Sequence, residues 1–335
     1  APLAARLVVL PLSILDLCPV PEGSTPVQAL ANSRQLAHVA EQLGYRRFWM
    51  AEHHNMPGIA SAATAVALCH VGQGTSTIRL GAGGVMLPNH APLVVAEQFG
   101  TLASIFPGRI DLGLGRAPGT DPITAHALRR SRDGDVDDFP RDVLELRQYF
   151  AAADDGAPVT AVPGAGLGVP LWILGSSLYG ASLAAALGLP YAFASHFAPA
   201  ALDQALDLYR SRFEPSAQLD RPHVMLGMNL CAADDAEEAR FLRTSGLQAV
   251  LNLRRGRPGL LPRPRADFDS TLGAAERQLL DGFRSCSAVG GPEDVRQAMS
   301  SFAERTAADE LILVSQIWDP AARVRSYEIA AGRAQ

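Results

Sequence analysis

The chain has 335 residues, 48% hydrophobic and 19% charged, which excludes a disordered tail or a disulfide-stapled miniprotein and provides for a large core. All 29 basic residues are arginine; without lysine there is no pyridoxal Schiff base, lysine-dependent aldolase or Walker A loop, each of which needs an amine. A net charge of −5 gives no field to gather nucleic acid, and no apolar run reaches the ~18 residues of a membrane span, so neither is an expected partner.

In chain order, short aliphatic runs predict strands at Leu7 to Leu12, Arg47 to Ala51, Arg79 to Met86, Arg109 to Leu114, Leu171 to Leu174, Tyr191 to Ala194, Val224 to Cys231 and Glu310 to Ser315. Amphipathic periodicity follows them, as in Val27 to Leu43, Pro92 to Ile105, Val143 to Ala153, Leu178 to Leu187, Ala200 to Phe213 and Ala236 to Val250. Eight such units favour a closed α/β barrel, a single (β/α)8 TIM barrel over residues 1–335, rather than an open doubly wound sheet. Two stretches exceed the minimal unit and are read as insertions: 117–138, directly after the fourth strand, and 251–281, whose face the sequence does not assign. Within the latter, Arg254, Arg255, Arg257, Arg263 and Arg265 are broken up by Pro258, Pro262 and Pro264, the pattern of a solvated loop. The four cysteines, Cys18, Cys69, Cys231 and Cys286, lie far apart without metal or dithiol spacing. With no signal-peptide pattern at the start, a cytoplasmic protein with reduced thiols and no metal is expected.

Barrel chemistry sits at the carboxyl ends of strands. The second strand runs into Glu52-His53-His54-Asn55, where strand alternation disfavours both histidines facing the mouth together; acid/base work and a buried structural hydrogen bond are both open for each. The third strand holds Gly81-Ala82-Gly83-Gly84, an unusual choice for a strand that fits either a planar ring against the backbone or a bulge and barrel-packing constraint. Strand four ends in Gly113-Leu114-Gly115-Arg116, and strand five in Gly175-Ser176-Ser177 where a helix begins. That helix start with Arg116 is suited to an anion, and ordinary capping by the serines is the plainer alternative. His196 and Trp318 follow strands six and eight and are candidate pocket walls beside His54.

Together these fragments resemble the bacterial luciferase-like family of flavin-dependent monooxygenases, over essentially the whole chain. The resemblance is densest in Trp49 to Asn55, Gly81 to Pro88, Gly108 to Arg116 and Leu174 to Ser177. It implies a (β/α)8 barrel with an insertion, a homodimer, and reduced FMN supplied by a separate NAD(P)H-dependent flavin reductase. It also implies O2 as cosubstrate, a C4a-hydroperoxyflavin, and oxygenation of a small organic substrate. By the same resemblance His53 is the active-site histidine and Glu52 its neighbouring carboxylate, and Gly83-Gly84 carry a non-proline cis bond under the flavin ring. Arg116, Ser176 and Ser177 hold its phosphate. Light-emitting luciferase has a reactive cysteine where this chain has Gly115, which argues against light emission and a long-chain aldehyde substrate. Two rivals are a deazaflavin-dependent hydride-transfer enzyme, whose longer anionic tail would favour more basic residues than Arg116, and a non-catalytic flavin-binding protein. The intact Glu52 to Asn55 run disfavours the second rival.

Overall fold

In a computed structural model the chain is described at residues 10–117, 121–128, 138–152 and 156–333. Its strands are β1 (Leu12–Asp16), β2 (Arg47–Met50), β3 (Arg79–Met86), β4 (Ile110–Gly115), β5 (Leu171–Gly175), β6 (Tyr191–Phe193), β7 (Val224–Ala232), β8 (Ser287–Gly290) and β9 (Glu310–Val314). All pairings are parallel; β1 to β7 pair in sequence, and β9 bridges β7 to β1, closing an eight-stranded barrel. The (β/α)8 architecture expected from the alternating pattern is the one observed.

The first strand lies further along than its apolar run suggests. It begins at Leu12, immediately after Pro11, whose carbonyl accepts the Leu311 N–H; Pro11 has no N–H of its own to add to the ladder. Residues 7–9 of the expected strand lie outside the described ones.

Eight helices form the outer ring: α1 (Pro26–Leu43), α2 (Thr64–Gly72), α3 (Pro92–Ile105), α5 (Phe139–Phe150), α6 (Leu178–Leu187), α7 (Leu202–Ser211), α10 (Pro292–Thr306) and α11 (Pro320–Ala330). Their inward residues and the outward strand residues make one continuous apolar layer that includes Leu36, Phe48, Phe99, Leu112, Tyr209 and Tyr327. α4 (Pro122–Leu128) belongs to the excursion after β4, whose residues 118–120 and 129–137 lie outside the described ones.

The helix expected to follow β7 forms, as α8 (Ala236–Arg254), but it is not the ring helix of that unit. α10 fills that role, with Arg305 reaching Asp203 of α7 at 2.9 Å. α8 instead crosses the carboxyl end of the barrel. A Cβ on its Gly246 would sit 3.0 Å from Gln316, just past β9, and Arg254 lies 5.5 Å from the ring of Phe197, just past β6. Beyond it, Leu261 bridges Pro21 after β1, and the Gly259 carbonyl presses on Gly58 after β2 so closely that a Cβ there would be 2.2 Å away. α9 (Ala274–Asp281) and β8 complete the excursion, which spans 233–291 and includes the Arg/Pro-rich stretch. Its face is therefore the mouth. Apolar periodicity does not distinguish a helix packed on the outside of the barrel from one packed over its end.

Candidate active site

Side chains alternate across each strand, and the inward set builds the site from its floor. At the floor Asp111 is 1% exposed and accepts from Arg47 at 2.6 Å, Arg79 at 2.6 Å and the Trp49 indole at 3.3 Å. Arg47 also donates to Glu310 at 2.9 Å, which takes a short hydrogen bond from Ser13, and it stacks 4.7 Å over Trp172. Burial works against the charge of Arg47, but Asp111 and Glu310 outweigh it and raise its pKa. Burial likewise works against the Glu310 carboxylate, and His223, whose Nε2 lies 3.7 Å away, together with the charge of Arg47 brings its pKa down. None of these floor residues stood out in the sequence.

The next layer is Leu15, Trp49, Trp172, Met225 and Ile312, and it explains the third strand's glycines. A Cβ on Gly81 would lie 2.5 Å from the Trp49 indole nitrogen, on Gly83 2.6 Å from Leu15, and on Gly113 3.3 Å from the Trp49 ring. The pairing with β4 shifts register between Gly83 and Val85. Barrel packing and a bulge thus account for the missing side chains, while the Gly83-Gly84 peptide is cis, as the resemblance implies.

At the mouth, Glu52 is 2% exposed and its Oε1 faces Nε2 of His54 at 2.7 Å and Nε2 of His90 at 2.8 Å, while the Met86 N–H donates to Oε2. Burial opposes its ionisation, yet the His90 hydrogen bond and charge, with the other donors, hold its pKa below the usual carboxylate value. His90 was missed in the sequence; its signal was its place just past the carboxyl end of β3. The three side chains bring ligand atoms within 4.8 Å of one another, a donor set that cysteine and histidine spacing did not reveal because it is assembled from two strand ends. Asn55, at φ 56°, donates to Asp121 at 3.3 Å and so ties the end of β2 to the excursion after β4.

His53 and His196 follow β2 and β6, which stand four strands apart in the closed order and hence on opposite walls. They nonetheless sense each other: burial, and next the His53 imidazole, push the His196 pKa down to about 4. His196 is placed by its carbonyl, which accepts from Asn229 at 2.8 Å, and by Gly227, where a Cβ would be 2.1 Å from its Nδ1. That Nδ1 is buried without a hydrogen-bond partner. Trp318 donates to the Glu22 carbonyl at 3.0 Å and lies 4.1 Å beneath Arg263, pinning the excursion to the loop after β1.

On the β4–β5 side, Arg116 lies 4.1 Å over the ring of Tyr179 in the first turn of α6. Ser177 is the extended N-cap of α6, yet its side chain makes no capping hydrogen bond; Gly175 and Ser176 lead into it from β5. Gly115 closes β4 against Met86, whose sulfur would be 2.8 Å from an added Cβ.

The family model for luciferase-like monooxygenases matches residues 12–310, and the chain belongs to that family. A luciferase-like monooxygenase of Escherichia coli K12 is 54% identical over 95% of both chains. The apo structure of MsnO8 superimposes with a TM-score of 0.90 at 36% identity, covering 97% of this chain and 98% of that one. An N-acetyl-S-alkylcysteine monooxygenase of Bacillus subtilis is 39% identical over 55% of this chain and 56% of its own.

Proposed function

We propose that the protein is the oxygenating component of a two-component monooxygenase that uses reduced FMN and O2 on a small organic substrate. The observation that carries this reading is the start of α6: a helix amino terminus whose N-cap serine hydroxyl is not used for capping, with Arg116 stacked beside it. Free backbone N–H groups, a positive helix end and a guanidinium form a phosphate cradle. A single arginine fits the monophosphate of FMN better than the longer anionic tail of a deazaflavin.

In this reading Gly115, Arg116, Gly175, Ser176 and Ser177 hold the phosphate end, and the Gly83-Gly84 segment meets the ring. His54, His196 and Trp318 border the substrate. Bound reduced FMN supplies the electrons for activating O2. The chain's own tasks are to exclude water and to control one proton. His53 performs the second, as an imidazole can near neutral pH. Glu52, held ionised between His54 and His90, orients the wall from which His53 projects. A flavin reductase supplies the reduced cofactor. Exposed Val66 on α2 with Val94 and Ile105 on α3 supports a homodimer through that face, and the four free cysteines suit the cytoplasm. Among the described residues no helix is long and apolar enough to cross a membrane.

The test is to mix the protein anaerobically with reduced FMN, admit O2, and follow near-ultraviolet absorbance by stopped flow. A transient that outlasts the oxidation of free reduced FMN is expected, and His53→Ala should bind FMN yet lose productive oxygenation. Oxidation as fast as in free solution would overturn the proposal and make deazaflavin binding the next measurement.

A further inference from the structure

At the mouth two imidazoles aim Nε2 at a single oxygen. Oε1 of Glu52 meets His54 at 2.7 Å and His90 at 2.8 Å, while Oε2 takes the Met86 N–H at 3.1 Å. The two rings stand 6.5 Å apart, centre to centre, and are tilted by 50°, so their nitrogens approach that oxygen from different sides. Each group is carried by well-placed backbone. Glu52 and His54 lie just past β2, which is buried throughout, and the His90 N–H closes the turn after β3 on the Leu87 carbonyl at 2.9 Å. All three ligand atoms lie within 4.8 Å of one another, and among the described residues no other three histidine, cysteine or carboxylate side chains converge so closely. The Glu52 side chain is 2% exposed, but those of His54 and His90 are 14% and 28% exposed, which leaves an ion a way in from solvent.

We propose that Glu52, His54 and His90 form a binding site for one divalent transition-metal ion of the Zn2+ type, with the two Nε2 atoms and Oε1 as ligands and water in the remaining position. Two imidazole nitrogens and one carboxylate oxygen suit Zn2+ or Co2+, whereas Mg2+ and Ca2+ take oxygen ligands. Ligand atoms around an ion held at about 2.1 Å stand about 3.0–3.4 Å from one another. The imidazoles therefore withdraw from Oε1 by about half an ångström to admit the ion, a shift that rotation about side-chain bonds supplies. Each Nε2 that donates to Glu52 gives up its proton to become a ligand, and the neutral ring carries one on Nδ1 instead. The Met86 N–H stays on Oε2 and keeps Oε1 turned toward the ion. Bound there, the ion ties the end of β2 to the turn after β3 with coordinate bonds in place of two hydrogen bonds. This inference goes beyond the flavin reading and does not depend on it.

The experiment is calorimetric titration of the full chain, stripped of metal with a chelator and dialysed, with zinc, cobalt and magnesium chlorides. One Zn2+ is expected to bind per chain, Co2+ to give visible ligand-field absorption that Zn2+ abolishes, and Mg2+ not to bind. His54→Gln and His90→Gln keep an N–H for Glu52 but lose the imidazole. Each should weaken Zn2+ by more than about tenfold, since even changes beyond the direct ligands cost that much. His38→Gln, whose native ring contacts Gly74 and Gln42 on α1's exposed side, should leave the affinity unchanged, and melting without metal checks that the variants fold. Anomalous diffraction from zinc-soaked wild-type crystals reads the site without any substitution and should place the ion on these three side chains. Absence of Zn2+ binding, an affinity that survives both glutamine variants, or an ion located elsewhere would overturn the proposal. FMN titrated into the same wild-type chain tests the flavin reading separately.

Discussion

Asp111→Asn removes one negative charge from the barrel floor while keeping the side chain's size. In the native floor Asp111 serves Arg47, Arg79 and Trp49 at once and is 1% exposed. Arg79 keeps two backbone acceptors, Gly108 at 2.6 Å and Ile110 at 3.1 Å, but Arg47 is 4% exposed and retains only Glu310 as a counter-charge. The carboxamide can accept from one guanidinium but then points N–H groups at another. Removing one partner of a buried pair costs about 3–5 kcal/mol. With an unfolding entropy of about 2.1 cal/mol/K per residue, the chain of 335 residues should lose about 4–7 °C in Tm. Calorimetry of Asp111→Asn measures this directly. Glu310→Gln should cost a comparable amount. The double variant should cost more than the sum, because Arg47 is then buried with no carboxylate at all. A Tm within about 1 °C of wild type for Asp111→Asn, or strict additivity in the double variant, would refute the view that Arg47 is held by two shared charges.

Other outcomes can be checked alongside. Gly227→Ala places a methyl group where the His196 ring stands; it should cost about 1–3 kcal/mol by overpacking, seen in urea unfolding, and shift the His196 resonances in NMR. Arg116→Gln should weaken FMN by about tenfold and leave riboflavin, which lacks the phosphate, unaffected, as read by flavin fluorescence. Burial of Glu41 favours its neutral form, but backbone N–H groups of Ile78, Thr77 and Ser76 outweigh this and bring its pKa from 4.5 to about 2. A carboxylate with a depressed folded-state pKa stabilises the fold above its unfolded value and ceases to do so as pH falls through the folded one. Glu41→Gln should therefore flatten the loss of stability between pH 4.5 and 2, and a denaturation profile unchanged in that window would contradict the assignment.

What could be read in advance followed from local pattern. Alternating apolar runs and helical periodicity located seven of the eight barrel strands, since a strand buried on both faces leaves an aliphatic run in the sequence. The first was displaced because the run before Pro11 resembles a strand as much as the run after it. Glu52 to Asn55 was visible because four polar residues follow a strand whose burial is complete. His90 and the floor charges Arg47, Asp111 and Glu310 were not, because each finds its partners on another strand or strand end, and a single polar residue carries no local signature of that. The glycines of β3 stand out locally but their reason does not: the space beside Gly81 and Gly83 is filled by Trp49 and Leu15, residues of other strands. α8 was found as a helix and placed in the wrong layer, since its apolar positions satisfy an outer-ring helix and a mouth-crossing one equally.

The excursion over the mouth leaves and re-enters the barrel at neighbouring points. β8 runs beside the last residues of β7, with Asn229 opposite Ser287 and Ala232 opposite Gly290, and the Ala233 N–H donates to the Gly290 carbonyl. A segment whose two ends are stitched to each other in this way can be lengthened, shortened or exchanged without altering the register of any of the eight barrel strands. The wall that carries Arg254 is thus modular, whereas Arg116 and the start of α6 are built into the barrel itself, so this architecture can change what stands over its mouth while leaving the proposed phosphate cradle untouched.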